Sequence, residues 1–284
     1  MPVNARLSRP NLLIRQLLIL LALAAITTIG TIHLSPHLST LLKIPPSITL
    51  PSPEIQNILN GKHKIVTLGD SITAAAKYTG GYVWLMQRYL NALYPQQKIE
   101  IINAGISGNK STDMQQRFQH DVVEQKPDLV TINVGVNDVL HSFLEFNNQK
   151  IDTQSNFPKN VNLEVYRQKL TEMVKAAQGQ GIKVALLSPT PIREALDSPE
   201  NLLLPQYIAA MRQVAIDYKC VYIDLNSPFR EVMMNFQKHG GRSFNLLTTD
   251  GIHPNQAGNR IIAYTVLRGL GISAQDIQSV QVKY

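Results

Sequence analysis

Cysteine is almost absent from this 284-residue chain, which carries Cys220 alone. A single thiol excludes an intramolecular disulfide framework and any cysteine-built zinc cage. With no cysteine near the start, a lipid-modified N-terminal cysteine is excluded as well. Cys220 stands beside the apolar run Val221, Tyr222 and Ile223, where a lone cysteine reads as a small buried hydrophobe. Aromatic residues are scarce at 6%, and the sixteen glycines and sixteen prolines are too few for a collagen-like or wholly disordered chain. Hydrophobic residues make up 44%, enough for one large soluble domain or two small ones with a sizeable core.

Net charge is +7, and its distribution matters more than its size. Residues 1–62 hold Arg6, Arg9, Arg15, Lys43 and Lys62 against Glu54 alone, whereas the other 222 residues carry 22 basic and 19 acidic side chains. No basic run interleaved with aromatics occurs in that larger part, so the chain is not read as a nucleic-acid binder.

The three arginines precede an uncharged run whose apolar stretch, Leu17–Leu34, is 18 residues long, at the lower edge of what spans a bilayer as a helix. Basic residues before it and few after it place the downstream chain outside the cytoplasm. A retained N-terminal hydrophobic helix is the favoured reading. A cleaved signal peptide is the alternative, because Ala22-Leu23-Ala24 has the small-x-small form. Residues 35–62 then carry Pro36, Pro45, Pro46, Pro51 and Pro53, which suits an extended spacer. The expected division is therefore an anchor or signal segment at 1–34, a Pro-rich linker at 35–62 and a folded domain at 63–284.

From Lys64 onward, short β-rich runs alternate with helical patterns. The strands expected are Ile65–Leu68, Ile99–Ile102, Leu129–Val134, Val184–Leu187 and Val221–Asp224, nearly continuous apolar runs as in strands buried on both faces. The helices expected are Tyr82–Leu93, Thr112–Glu124, Leu163–Gln178, Leu203–Tyr218 and Asn255–Leu267, the last with Gly269 as its stop. This alternation predicts an α/β fold, a parallel sheet with helices on both faces. Ligand chemistry in such folds gathers at the carboxyl ends of the strands.

Four blocks follow strand ends or precede the last helix. In Gly69-Asp70-Ser71-Ile72, Gly69 suits a tight turn and Ser71 would expose its hydroxyl where the chain turns helical, or the Ser or Asp is simply an N-cap. In Ile106-Ser107-Gly108-Asn109, a glycine lets a backbone N–H approach a ligand closely, or the segment is a flexible loop into a helix. In Gly135-Val136-Asn137-Asp138, the Asn137 amide could donate to an oxyanion, or the pair could form a plain Asn-Asp turn. In Asp250-Gly251-Ile252-His253, a carboxylate and an imidazole three residues apart can face each other, or Asp250 could simply cap the next helix. Two near-matches fail: Gly105-x-Ser107-Gly108 lacks a spacing residue of the G-x-S-x-G elbow, and Asn109-Lys110-Ser111 lacks the glycine that a P-loop needs before its lysine.

Together, GDSI, the glycine of ISGN, GVND and DGIHPN resemble the SGNH, or GDSL, hydrolase superfamily over about Ile65 to Ala263, and the lysophospholipase and thioesterase-like esterase branch in particular. Ile72 stands where the GDSL name has leucine. The resemblance implies a flavodoxin-like, three-layer α/β/α sandwich around a five-stranded parallel sheet. It implies a serine ester hydrolase in which Ser71 is the nucleophile, His253 the general base and Asp250 the carboxylate that fixes its tautomer. The oxyanion hole falls to the Ser71 and Gly108 N–H groups and the Asn137 amide. No cofactor is implied, and no metal: the seven histidines are scattered, and Pro36 breaks a helical turn between His33 and His37. Asp70, Asp138, Asn103 and Asn109 read as structural hydrogen-bonding residues. The polar stretch His141–Asn162, with Phe143, Leu144, Phe146 and Phe157, reads as a surface loop or a lid beside Asn137. The substrate is an acyl ester, either a lipid or lysophospholipid ester or an acetylated envelope polysaccharide. Transfer of the acyl group to a sugar hydroxyl by the same triad is the alternative reaction.

Overall fold

The apolar runs form five strands: β1 (Lys64–Gly69), β2 (Glu100–Gly105), β3 (Leu129–Asn133), β4 (Lys183–Leu187) and β5 (Val221–Ile223). They pair in parallel in the order β2-β1-β3-β4-β5. A computed structural model describes residues 58–59, 61–147, 161–241 and 245–282. The expected N-terminal helix and nearly all of the linker lie outside these residues. Among the described residues, no helix is long and apolar enough to cross a membrane.

Valine, isoleucine and leucine dominate β1, β3 and β4, which are buried almost throughout because both faces are covered. The edges differ. Strand β2 is half-buried and runs three residues past Ile102, since Asn103, Ala104 and Gly105 still pair with β1 whatever their side chains. Cys220, just before β5, is half-buried rather than enclosed, and burial pushes its thiol up to about 12.

The helices are α1 (Ser71–Ala75), α2 (Tyr82–Leu93), α3 (Ser111–Phe118, continued by a wide π turn over Gln119–Val123), α4 (Val136–Asn147), α5 (Leu163–Gln178), α6 (Pro199–Asp217), α7 (Asn226–Lys238), α8 (Gln256–Gly269) and α9 (Ala274–Ser279). Both α2 and α5 keep their expected limits; the Asn162 side chain fixes the start of α5 by accepting the Val165 N–H. Ser198 caps α6 and Pro199 sits in its first turn, so the helix starts before Leu203 and encloses Pro205. Gly269, the expected stop of α8, is its last residue. Residues 141–147 continue α4 instead of opening a loop. The side chains of Phe143, Leu144 and Phe146, and all of 148–160, lie outside the description.

Helix α2 packs on α8, while α3 packs on α5 and α5 on α6. Right-handed crossovers that step from β1 out to β2 and then back past β1 to β3 put these two groups on opposite faces. The reversal opens a crevice beyond the ends of β1 and β3. Register makes that crevice level: Gly69 pairs with Gly105 on one side and with Asn133 on the other.

Candidate active site

Asp70 leaves β1 and caps α1, its Oδ1 accepting the Ile72 N–H at 2.9 Å. Ser71 is thereby the first helical residue, and its own N–H has no acceptor within the helix. Helix α1 lies hard against the sheet end, since a Cβ on Gly69 would overlap Thr73 Oγ1 and one on Gly105 would overlap the Ala74 backbone. Close approach, not turn conformation, is what Gly69 supplies. Asn103 holds the same junction, donating to the Thr73 carbonyl at 2.6 Å and accepting the Gly105 N–H at 2.9 Å.

The Asp250–His253 turn reaches Ser71 from 182 residues away: His253 Nε2 lies 2.8 Å from Ser71 Oγ, and His253 Nδ1 lies 2.6 Å from Asp250 Oδ2. The other carboxylate oxygen accepts the N–H groups of Ile252 (2.9 Å) and His253 (2.8 Å). Burial would raise the Asp250 carboxyl, but the His253 N–H, the imidazole and the Ile252 N–H together pull it down to about 2. An ionised carboxylate can only accept, so Nδ1 of a neutral ring carries the proton and Nε2 is left to accept from the serine hydroxyl. The arrangement can draw a proton from Ser71 toward the ring.

Gly108 sits at φ +79°, a left-handed turn that favours glycine, with open space where a Cβ would point. Asn137 lies in the first turn of α4 and is only 7% exposed. Its Nδ2 donates to the Asn109 carbonyl at 3.0 Å and stands 3.5 Å from Asp70 Oδ2. The Asn109 bond fixes the plane of the amide, and the second amide hydrogen makes only the longer contact to Asp70. Asp138, the next residue, is fully buried and accepts both the N–H and the hydroxyl of Ser111, tying α4 to the start of α3.

Burial raises the Asp70 carboxyl to about 7, against the lowering pull of the Ile72 N–H, and raises Asp138 to about 6 against its Ser111 bonds. A folded pKa above the unfolded one means that the folded chain holds an extra proton between about pH 4 and pH 7, so stability falls as pH rises through that window. At about 1.4 kcal/mol per pKa unit, Asp70 alone accounts for a loss on the order of 4 kcal/mol. Asn at position 70 keeps the cap acceptor and cannot ionise. Asp70→Asn is therefore expected to lessen the fall of the thermal midpoint between pH 4 and pH 7, leaving the part due to Asp138, and to raise the midpoint at neutral pH. Thermal melts across that range check this, and an unaltered slope refutes it.

Sequence motifs did not single out Glu194. Its buried carboxylate accepts the N–H groups of Leu246, Leu247 (2.7 Å) and Thr248 (2.8 Å) and the Thr248 hydroxyl (2.9 Å), while Thr248 Oγ1 accepts the Gly251 N–H at 3.0 Å. It braces the loop that leads into Asp250. Its partners lie more than fifty residues away, so no local signal marks it.

Residues 67–261 match the GDSL-like lipase/acylhydrolase family. An acetylxylan esterase of Geobacillus stearothermophilus is 30% identical over 219 residues, covering 73% of this chain and 94% of its own. The crystal structure of Axe2, an acetylxylan esterase of that organism, aligns with a TM-score of 0.63 at 29% identity, over 75% of this chain and 95% of that one. Structures of Axe2 altered at a serine, an aspartate and a histidine are described as catalytic mutants. The esterase TesA of Pseudomonas aeruginosa is 28% identical over 193 residues, covering 67% of this chain and 79% of its own. The resemblance to SGNH hydrolases therefore holds, and the chain belongs to the GDSL-like lipase/acylhydrolase family as a carboxylic ester hydrolase.

Proposed function

We propose that Ser71, His253 and Asp250 form the catalytic triad of an esterase that removes short acyl groups, acetyl above all, from hydroxyls of a carbohydrate. Ser71 Oγ attacks the ester carbonyl as its proton passes to His253 Nε2. The tetrahedral oxyanion is held by the Ser71 and Gly108 N–H groups and by Asn137 Nδ2. The imidazolium then protonates the departing alcohol, and water, deprotonated by the same nitrogen, releases the acid. Asn137→Ala is expected to lower kcat on the order of 100- to 1000-fold, the usual loss for one oxyanion donor. Steady-state kinetics with a folded variant check this, and a loss under about tenfold removes Asn137 from the donor set.

The observation that carries the substrate class is the openness of the histidine side. The His253 side chain is 39% exposed and that of Asp250 52% exposed. The leaving alcohol departs on that side, where both side chains are open to solvent. The likeness to an acetylxylan esterase along nearly its whole length supports the same class. The basic-then-apolar N-terminal run supports a site of action outside the cytoplasm.

The test is a panel run on the full chain: p-nitrophenyl esters from acetyl to palmitoyl, an acetylated xylooligosaccharide and a lysophospholipid. Highest kcat/KM on acetyl esters, with acetate released from the oligosaccharide, is expected. A preference above about tenfold for long acyl chains or lysophospholipid would overturn the carbohydrate reading in favour of a lipid esterase. Product analysis with a sugar acceptor separates hydrolysis from transfer.

A further inference from the structure

Arg117, near the end of α3, belongs to none of the four sequence blocks, yet it touches the segments that carry two of the three proposed oxyanion donors and the residue whose carbonyl fixes the third. Its Nη2 donates to the Gly69 carbonyl at 2.9 Å, its Nη1 to the Ala104 carbonyl at 2.9 Å and its Nε to Asn109 Oδ1 at 2.6 Å. Asp121, one turn on, accepts from Nη1, and only 15% of the Arg117 side chain is exposed. Gly69 stands two residues before Ser71. Asn109 follows Gly108 directly, and the Asn109 carbonyl is the acceptor that fixes the Asn137 amide. The Gly69 carbonyl also accepts the Ile106 N–H at 3.0 Å, so the guanidinium closes a ring joining the end of β1, the end of β2 and the glycine loop.

We propose that Arg117 is the positioning residue of the oxyanion hole, setting the spacing among the Ser71, Gly108 and Asn137 donors without touching substrate. The proposal rests on the esterase reading above. Arginine suits this role because its planar fork presents donors at fixed angles to several acceptors at once. A lysine keeps the charge beside Asp121 but cannot reach three acceptors in one plane. Misplacing donors by a fraction of an ångström weakens them only where negative charge develops, so the loss should appear in turnover and not in substrate binding.

The experiment compares Arg117→Ala and Arg117→Lys with the wild-type full chain on a p-nitrophenyl acetyl ester, alone and in an Asn137→Ala background, with melts for folding. Expected are a fall in kcat of about 30- to 100-fold for Arg117→Ala and more than about tenfold for Arg117→Lys, with KM within about threefold. In the Asn137→Ala background, Arg117→Ala should lower kcat by a smaller factor than in the wild type, because one of the donors it positions is already gone. Added guanidinium ion should restore part of the turnover of Arg117→Ala and none of that of Asn137→Ala. The proposal is overturned if folded Arg117→Ala keeps kcat within about threefold of wild type, if its loss is fully additive with Asn137→Ala, or if KM carries the change. Failure of both variants to fold also overturns it, assigning the arginine to stability. A Ser71→Ala control separates these outcomes from failure of the esterase reading, since only that control bears on the nucleophile.

Discussion

Ser71→Ala is expected to lower kcat by roughly five to six orders of magnitude, the largest effect of any single change in this protein. The alanine removes the atom that would form the acyl-enzyme and leaves only water attacking an ester held beside the oxyanion donors. What survives is the contribution of binding and of those donors, roughly 1000-fold over the uncatalysed reaction. The fold should be indifferent. The Ser71 hydroxyl bonds to His253 Nε2, and α1 is capped by Asp70, which the change leaves alone. A thermal midpoint close to wild type together with turnover lost is the expected pair of results. Turnover within about tenfold of wild type in purified Ser71→Ala would remove the serine from the chemistry.

Asp250→Asn is expected to lower kcat by roughly 10,000-fold while leaving the loop folded. The reason lies in how the two carboxylate oxygens are used. Oδ1 accepts the N–H groups of Ile252 and His253, and an asparagine would keep its carbonyl oxygen there because only an acceptor fits. Its NH2 group must then face His253 Nδ1, which has to accept, so the ring proton moves to Nε2. The nitrogen 2.8 Å from Ser71 Oγ becomes a donor and cannot take the hydroxyl proton. Asp250→Ala should behave differently, losing the turn bonds as well and melting earlier. Comparison of kcat and melting midpoint for the two variants tests the tautomer argument. Equal turnover in Asp250→Asn and wild type would refute it.

Much of this architecture was legible in the sequence because its signals are local. The strands are contiguous apolar runs, and α2 and α5 carry unbroken helical periodicity with limits that match. The site blocks were legible for a related reason: Ser71, Gly108, Asn137 and the Asp250–His253 pair each lie within a few residues of a turn that the chain must make. Helix α4 was missed because its first turn, Val136-Asn137-Asp138, has the composition of a loop, while Asp138 is held by the Ser111 N–H and hydroxyl from elsewhere in the fold. Helix α7 was not among the expected helices, and its opening residues Asn226, Ser227 and Pro228 have the composition of a loop. They are a helix start, with Asp224 Oδ1 accepting the N–H groups of Asn226 and Ser227. Arg117 and Glu194 escaped for a deeper reason. Their significance is a set of acceptors and donors that only the folded chain brings within reach, and neither spacing nor composition encodes it.

The pairing of Gly69 with both Gly105 and Asn133 constrains how this enzyme can change over time. Lengthening β1, β2 or β3 by one residue would turn every following side chain to the opposite face and lift one segment about 3.3 Å above its neighbours. Such an insertion would pull Ser71, Gly108 and Asn137 out of level with one another, whereas loops at the opposite end of the sheet can grow or shrink while the row stays intact. Change in length is therefore tolerated least in the three strands whose ends share that row.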